Sequence, residues 1–340
     1  MQTAAILGTG LIGSSIGLGL RSAGWRVVGW DPDAAVARRA LERGALSEVA
    51  PDADAAVAGA FDVVVLAGPP GAIATSVQAL TVPGLVIDVA GVKGPIVAAA
   101  RPARFVGTHP MAGRESTGPD AASAALFRGA AWVVVTDNAS PTDVAAVEGI
   151  VVTLGARPVR MTAAEHDRAV AAISHLPQVL AATLVTEAAE RTQALDLAAG
   201  SFRDLTRVAA SDPVPWTQLL GANRDAVVAA VEDLRDRLAE VVDELQRGDN
   251  AALEEMLTSA REHRRALAPP VVSVRVILAD QPGELAKVGH ALETSEADIR
   301  DLQLRHAPHG GGGVLTLSVR PGEAEALRDA LGGEGLLLAD

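Results

Sequence analysis

Six residues, Gly8-Thr9-Gly10-Leu11-Ile12-Gly13, stand directly after a short apolar run, Ala4–Leu7, and open a stretch of helical character. This order restricts the possible folds more than any other feature of the chain. Gly8 permits the tight turn from strand to helix, Gly10 lets the backbone approach a pyrophosphate, and Gly13 lets helix and strand pack closely. A phosphate held there meets a helix N-terminus, where the unpaired N–H groups of Leu11, Ile12 and Gly13 and the macrodipole favour an anion. The next apolar run, Val27–Trp30, ends in Asp31. A carboxylate at that place accepts hydrogen bonds from an adenosine ribose and repels a 2′-phosphate, which predicts NAD rather than NADP. The plainer role for Asp31 is to start the Asp-Pro turn that follows it. Gly68 and Pro69, after the run Val63–Ala67, are expected to border the same cofactor.

Around this loop, residues 1–161 alternate apolar runs with Ala-rich helical stretches. The runs Ala4–Leu7, Val27–Trp30, Val63–Ala67, Leu85–Val89, Phe105–Thr108 and Ala131–Thr136 are near-continuous in Val, Ile, Leu and Ala. Such runs predict strands buried on both faces of one parallel sheet with helical crossovers, a doubly wound α/β domain. Residues 162–268 read as wholly helical. Thr162-Ala163-Ala164-Glu165 fits a capping box, and Pro177 should kink the helix that follows. Val227, Val231, Leu234, Leu238, Val241 and Leu245 form a seam of period 3.5, ended by Gly248, that needs a partner helix from the same subunit or from a second copy. Pro269-Pro270 marks a boundary. Residues 271–340 follow the order βαββα, with the strands Val271–Leu278, Ile299–His306 and Val314–Arg320, a glycine hairpin at Gly310–Gly313 and a short final strand at Leu336–Leu338. That order predicts a small ferredoxin-like α+β module.

Composition removes whole classes of function. Forty-two acids against 29 bases give a net charge of −13, which argues against a nucleic-acid or anionic-membrane surface. With no cysteine there is no disulfide, thiolate nucleophile or Cys-ligated metal, and the seven histidines lack metal-site spacing. No apolar run reaches the roughly 18 uninterrupted residues of a membrane span, so a cytoplasmic protein is expected. There is no tyrosine, and aromatics make up 2% of the chain, so its core must be aliphatic.

Three further segments carry chemistry. His109, in Gly107-Thr108-His109-Pro110, follows the fifth run, and ligands of open α/β sheets bind beyond the carboxyl ends of strands. A neutral imidazole there accepts a hydroxyl proton while hydride leaves the same carbon. Ser174-His175-Leu176-Pro177-Gln178 puts polar groups on an otherwise apolar helix, where they must satisfy one another or face a wet cleft. Ser201-Phe202-Arg203-Asp204-Leu205-Thr206-Arg207 holds two arginines, suited either to clamping a carboxylate or to a surface pair such as Arg203 with Asp204.

With these motifs in hand, the chain resembles the prephenate/arogenate dehydrogenases of tyrosine biosynthesis. GTGLIGSSIG, DVAGVKG, GTHPMAGRE, SHLPQ, SFRDLTRVA and DPVPW…N occur in the order of that family and cover most of the chain. The resemblance implies an N-terminal Rossmann domain, a helical dimerisation domain forming a homodimer, and a C-terminal ACT regulatory domain. It implies that His109 is the catalytic histidine on the ring hydroxyl of prephenate and that Arg207 holds the side-chain carboxylate. Glu115 then gates the cleft, and Ser174, His175 and Gln178 lie on the substrate side, with Trp216 nearby. In the C-terminal block, Asp280-Gln281-Pro282-Gly283-Glu284-Leu285 resembles the amino-acid-binding loop of ACT domains, with tyrosine, or else phenylalanine, as effector. Asp298 stands where many ACT domains have asparagine.

Two positions depart from the family pattern. Gly91 replaces the serine of DxxSxK that lies beside the substrate hydroxyl, and Gln178 replaces a second histidine of SHLPH. Both touch substrate recognition rather than hydride transfer. The expected reaction is NAD-dependent oxidative decarboxylation of prephenate to 4-hydroxyphenylpyruvate. Arogenate and 4-amino-4-deoxyprephenate are the rival substrates, and an amino-acid sensor without catalysis is the rival of another class.

Overall fold

Strand β1 (Thr3–Leu7), buried along its middle, turns through the glycine loop into α1 (Leu11–Ser22). In the computed structural model, which describes residues 1–101, 104–114, 116–191, 195–267, 271–306 and 312–339, the chain forms two compact units, Met1–Asp236 and Arg237–Asp340. The first unit continues through β2 (Arg26–Trp30), α2 (Ala34–Glu42), β3 (Glu48–Val49), α3 (Ala53–Val57), β4 (Val63–Leu66), α4 (Pro70–Ala79), β5 (Leu85–Asp88), α5 (Gly94–Ala99) and β6 (Phe105–Val106). These strands pair in parallel in the order β3-β2-β1-β4-β5-β6. The order reverses between β1 and β4, which is the Rossmann arrangement and puts a crevice at that switch point. Every residue of β4 and β5 is buried, as near-continuous apolar runs require.

The expected single sheet is corrected in two respects: Ala131–Thr136 lies in a second sheet of three strands rather than in the parallel one, and Phe105–Thr108 is divided between the two. Phe105–Thr108 does not continue as one strand: Phe105 and Val106 pair with β5, Thr108 to Pro110 pair with the strand Ala131–Val135, and Gly107 lies between. There the backbone passes so close to Val97 that an added Cβ would lie 3.2 Å from its Cγ2. β7 (Thr108–Pro110) leaves the parallel sheet and pairs antiparallel with β8 (Ala131–Val135), which pairs in parallel with β9 (Arg157–Met161). Between β8 and β9 runs α6 (Pro141–Thr153). Trp132 of β8 packs its ring on Phe127 inside this part of the core.

The capping box forms as the sequence spells it. Thr162 accepts from the Glu165 amide, Glu165 reaches back to Thr162, and α7 (Ala163–Val170) begins. The disturbance expected at Pro177 takes the form of a widened π-helical turn, Ala171–His175, directly before α8 (Leu176–Ala189), so the helix is re-registered rather than broken. Within the 27-residue run Ala163–Ala189, an 18-residue window reaches a mean hydropathy of 1.5, long and apolar enough to cross a membrane. The same helix carries His166, Asp167, His175 and Gln178, all buried within the first unit. α9 (Gly200–Thr206), the 3₁₀ turn Arg207–Ala210, α10 (Pro213–Ala222) and α11 (Arg224–Arg247) follow, and Gly248, at φ +70°, ends the last of these.

The second unit contains α12 (Asn250–Ala266), β10 (Val272–Leu278), α13 (Glu284–Ser295), β11 (Asp301–His306), β12 (Gly313–Val319), α14 (Ala324–Gly333) and β13 (Leu337–Ala339). Its antiparallel sheet runs β11-β12-β10-β13, completing the expected order with a final strand. Alternate residues Val274, Val276, Leu315 and Leu317 turn inward and meet Val288, Leu327 and Leu331 of the two helices. Pro269-Pro270 and residues 307–311 of the glycine hairpin lie outside the described residues.

Candidate active site

The three glycines of the first loop are held by three different surroundings. Gly8 adopts φ +96°, and a Cβ there would lie 1.9 Å from the Ala67 carbonyl oxygen; at Gly13 it would lie 1.9 Å from that of Gly8. Both are demanded by the protein's own backbone. At Gly10 an added Cβ would meet nothing within 4 Å, so the middle glycine serves something outside the fold. Open space at the N-terminus of α1 suits the pyrophosphate of a dinucleotide. Asp31 has two parts at once. Its Oδ2 accepts from the Thr9 amide at 2.7 Å, fastening the end of β2 to the loop, while Oδ1 accepts from the Asp33 amide at 3.0 Å and closes the Asp-Pro turn. Gly68 and Pro69, the latter capping α4, follow β4 at the same switch point, with Gly8 against neighbouring Ala67.

A second cluster gathers at the carboxyl end of β5. Asp88 is fully buried, accepts from the amides of Ala90 and Thr108, and pairs with the equally buried Lys93 ammonium. Lys93 Nζ also donates to the Thr108 carbonyl at 2.6 Å. Burial pushes Asp88 up and Lys93 down, each countered by the other's charge. This lock joins the β5 loop to β7 and sets Gly91 beside His109: a Cβ on Gly91 would stand 3.7 Å from His109 Nε2 and 3.1 Å from Leu219 Cδ2. Leu219 of α10 thus borders the place that the family's serine would occupy.

Behind His109 runs a chain that the sequence reading missed. His109 Nδ1 lies 2.9 Å from His166 Nε2, and His166 Nδ1 lies 2.7 Å from Asp167 Oδ1. The Asp167 carboxylate also accepts from the amides of Lys93 at 2.8 Å and Gly94 at 2.7 Å, at the start of α5. Burial alone would raise Asp167, but hydrogen bonds from His166 and the Gly94 and Lys93 amides outweigh it and hold the carboxyl below its usual range. His109 falls well below the ordinary imidazole value, first through burial and then through the Lys93 charge and the other two histidines. Asn223, the final residue of the DPVPW…N motif, donates both amide hydrogens, to the Asp167 carbonyl at 2.8 Å and to His175 Nδ1 at 3.2 Å. Trp216 stands edge-on to His175, with ring centroids 6.2 Å apart. The only sequence signal for His166 is its place on the apolar face marked by Ala163 and Val170, where a histidine needs a partner.

The other expected residues are distributed as follows. Gln178 is buried and its Oε1 has no hydrogen-bond partner among the described residues; Ser174 is partly exposed on the π-helical turn. Arg207 is exposed at the start of a 3₁₀ turn that packs on α8. Glu115 lies outside the described residues. In the second unit, Asp280, Gly283, Glu284 and Leu285 border a cavity of about 280 Å³. Gly283 takes φ +97°, Glu284 accepts from Lys287 Nζ at 2.7 Å, and Leu285 is exposed. Asp298 is committed to Arg300 and Arg320.

A neutral imidazole at the carboxyl end of a nucleotide-binding sheet suits removal of hydride from a carbon that bears a hydroxyl, and it puts the protein among the dinucleotide-dependent dehydrogenases. Residues 16–160 match the family model for the nucleotide-binding domain of prephenate dehydrogenase, and residues 162–259 that for its dimerization domain. The chain is 33% identical to the probable prephenate dehydrogenase NovF of Streptomyces niveus, over 96% of each sequence. Among solved structures, it resembles the A. aeolicus prephenate dehydrogenase in complex with hydroxyphenyl propionate and NAD+, with a TM-score of 0.73 and 25% identity over 79% of this chain and 99% of that one. It also resembles Synechocystis arogenate dehydrogenase, with a TM-score of 0.69 and 27% identity over 79% and 100%. The chain belongs to the prephenate dehydrogenase family.

Proposed function

We propose that the chain is an NAD-dependent prephenate dehydrogenase, converting prephenate to 4-hydroxyphenylpyruvate and carbon dioxide in tyrosine biosynthesis. The observation that carries this reading is His109, an uncharged base whose Nε2 is turned toward Gly91 at the carboxyl edge of the nucleotide sheet. Gly10 and the first-turn amides of Leu11, Ile12 and Gly13 would hold the cofactor phosphates, with Asp31 on the ribose and Gly68-Pro69 bordering the cofactor. NAD, when bound there, supplies the acceptor for the hydride.

The chain's own groups do the rest. His109 Nε2 takes the ring hydroxyl proton as the carbon–hydrogen bond breaks, then returns it to the oxygen as the ring carboxylate leaves and the ring becomes aromatic. Arg207 clamps the side-chain carboxylate, and His175, Ser174 and Gln178 line the substrate side. His175 Nδ1 accepts from Asn223, so a neutral His175 carries its proton on Nε2 and acts as a donor. The unpartnered Gln178 Oε1 is an acceptor in search of a donor. With glycine at 91 and Leu219 beside it, the wall near the reacting oxygen is apolar. The missing serine keeps arogenate and 4-amino-4-deoxyprephenate as the alternative substrates.

Two features extend the proposal. Val231, Leu238 and Leu245 of the α11 seam are 37%, 53% and 61% exposed, and Ile173 and Leu184 of the long helix are also uncovered, which supports a homodimer that buries them. The βαββαβ module supports an ACT domain binding tyrosine at the cavity beside Asp280 and Leu285. A cytoplasmic location goes with this reading.

The test is NADH formation from prephenate, arogenate and the amino analogue, each with NAD and NADP, with and without tyrosine. Turnover of prephenate with NAD, inhibited by tyrosine, is expected. In the same assay His109→Asn should chiefly lower kcat, by about 100-fold or more, and Arg207→Ala should chiefly raise KM. Activity with arogenate or the amine alone would move the error to Gly91 and Gln178, and silence with all three would favour a non-catalytic sensor.

A further inference from the structure

His166 and Asp167 have no part in the reaction as written above, yet both are buried and both are joined to its base. We propose that His166 and Asp167 are positioning residues that fix the tautomer of His109 and store the substrate proton while the hydride leaves. The inference rests on the reading of His109 as the base.

The direction of the chain follows from its far end. Asp167 already accepts from two backbone amides, so toward His166 it presents an acceptor, and His166 Nδ1 must carry the hydrogen of their 2.7 Å contact. A neutral His166 then has a bare Nε2. The 2.9 Å contact is therefore His109 Nδ1–H donating to His166, which leaves His109 Nε2 bare on the side of Gly91. No link can be reversed while Asp167 stays ionised. The opposite tautomer would present an N–H to the substrate hydroxyl and accept nothing from it.

The same chain gives the proton somewhere to wait. When the substrate O–H bond breaks, an N–H bond forms at His109 Nε2. The Nδ1–H bond of His109 then yields its proton to His166 Nε2, and the positive charge comes to rest beside the Asp167 carboxylate rather than near the Lys93 ammonium. Two electrons leave with the hydride to NAD. As the ring carboxylate departs as carbon dioxide, its bonding electrons complete the aromatic ring and the proton retraces the path to the phenol oxygen. No proton is gained or lost overall.

Two variants and one measurement on the unaltered protein test this. In His166→Gln the amide oxygen still accepts from His109 Nδ1–H but holds no proton; in His166→Leu both functions go. We expect kcat to fall about 100-fold in the first and further in the second, with the acid limb of its pH profile displaced. KM and the calorimetric affinity for NAD should stay within about threefold of the unaltered protein. Variants that bind NAD normally and keep both kcat and its pH profile would overturn the proposal. If either variant fails to fold, ¹⁵N-histidine NMR of the unaltered chain decides: a hydrogen on His109 Nδ1 is expected, and one on Nε2 overturns the relay. Failure of the base reading looks different, because His109→Asn would then keep its turnover whatever happens at His166.

Discussion

Gly10 and Gly13 share one loop, yet a methyl group would be received differently at each. At 13 it meets the Gly8 carbonyl, at 10 it meets open space. Gly13→Ala should therefore cost about 1–3 kcal/mol of stability, the usual range for forcing an atom into packed surroundings. Gly10→Ala should leave the unfolding midpoint unchanged within about 0.5 kcal/mol and weaken NAD at least about tenfold. Thermal unfolding and titration calorimetry on the two variants check this; a Gly10 variant that loses stability would return that glycine to the fold. The glycines were legible in the sequence because their spacing encodes a turn that few other residues can make. His166 was legible only as a histidine on the face of Ala163 and Val170, not as a partner of His109. It follows a capping box in a charged first turn, Glu165-His166-Asp167-Arg168, where every side chain reads as solvated until the neighbouring β5 and β7 loops are in place.

At the scale of elements, the strands legible in the sequence are those whose apolar residues either run without interruption, as in β4 and β5, or alternate, as in β10 and β12. Arg157–Met161 was missed because two arginines and a proline hide a strand that is only partly buried. Phe105–Thr108 was joined in error because nothing in its composition shows that Gly107 ends one sheet and begins another. The seam of α11 is the converse case, since periodicity names the face but not what covers it. If a second copy covers it, Leu238→Asp puts a charge into the interface twice by symmetry, and dissociation should strengthen about 100-fold or more. Light scattering should show monomers at concentrations where the unaltered chain is dimeric, with helical circular dichroism retained. An unchanged mass would assign the seam to contacts within one chain.

For the whole molecule, the buried imidazoles couple folding to pH. His109 and His175 are both lowered from 6.5, chiefly by burial, so the unfolded chain takes up protons at these positions before the native one does. Where the unfolded state binds more protons, stability rises with pH. This contribution is therefore whole above about pH 6.5 and is lost progressively below it. Catalysis should respond later, because the lowered His109 stays an uncharged base beneath that point. Calorimetric Tm from about pH 8 down to about pH 5, set beside kcat over the same span, should show Tm falling first; a Tm that stays level while kcat drops would contradict the burial argument.

Trp216, edge-on to His175, has a use beyond packing. The chain has no tyrosine, so its near-ultraviolet emission belongs to four tryptophans. Trp132 is sealed against Phe127, while Trp30 immediately precedes Asp31 and Trp216 stands against His175. Trp25 and Trp132, both buried in the core, give a steady background in either variant, so with Trp30→Phe in place a change of light on adding the organic acid reports Trp216, and with Trp216→Phe in place a change on adding the nucleotide reports Trp30.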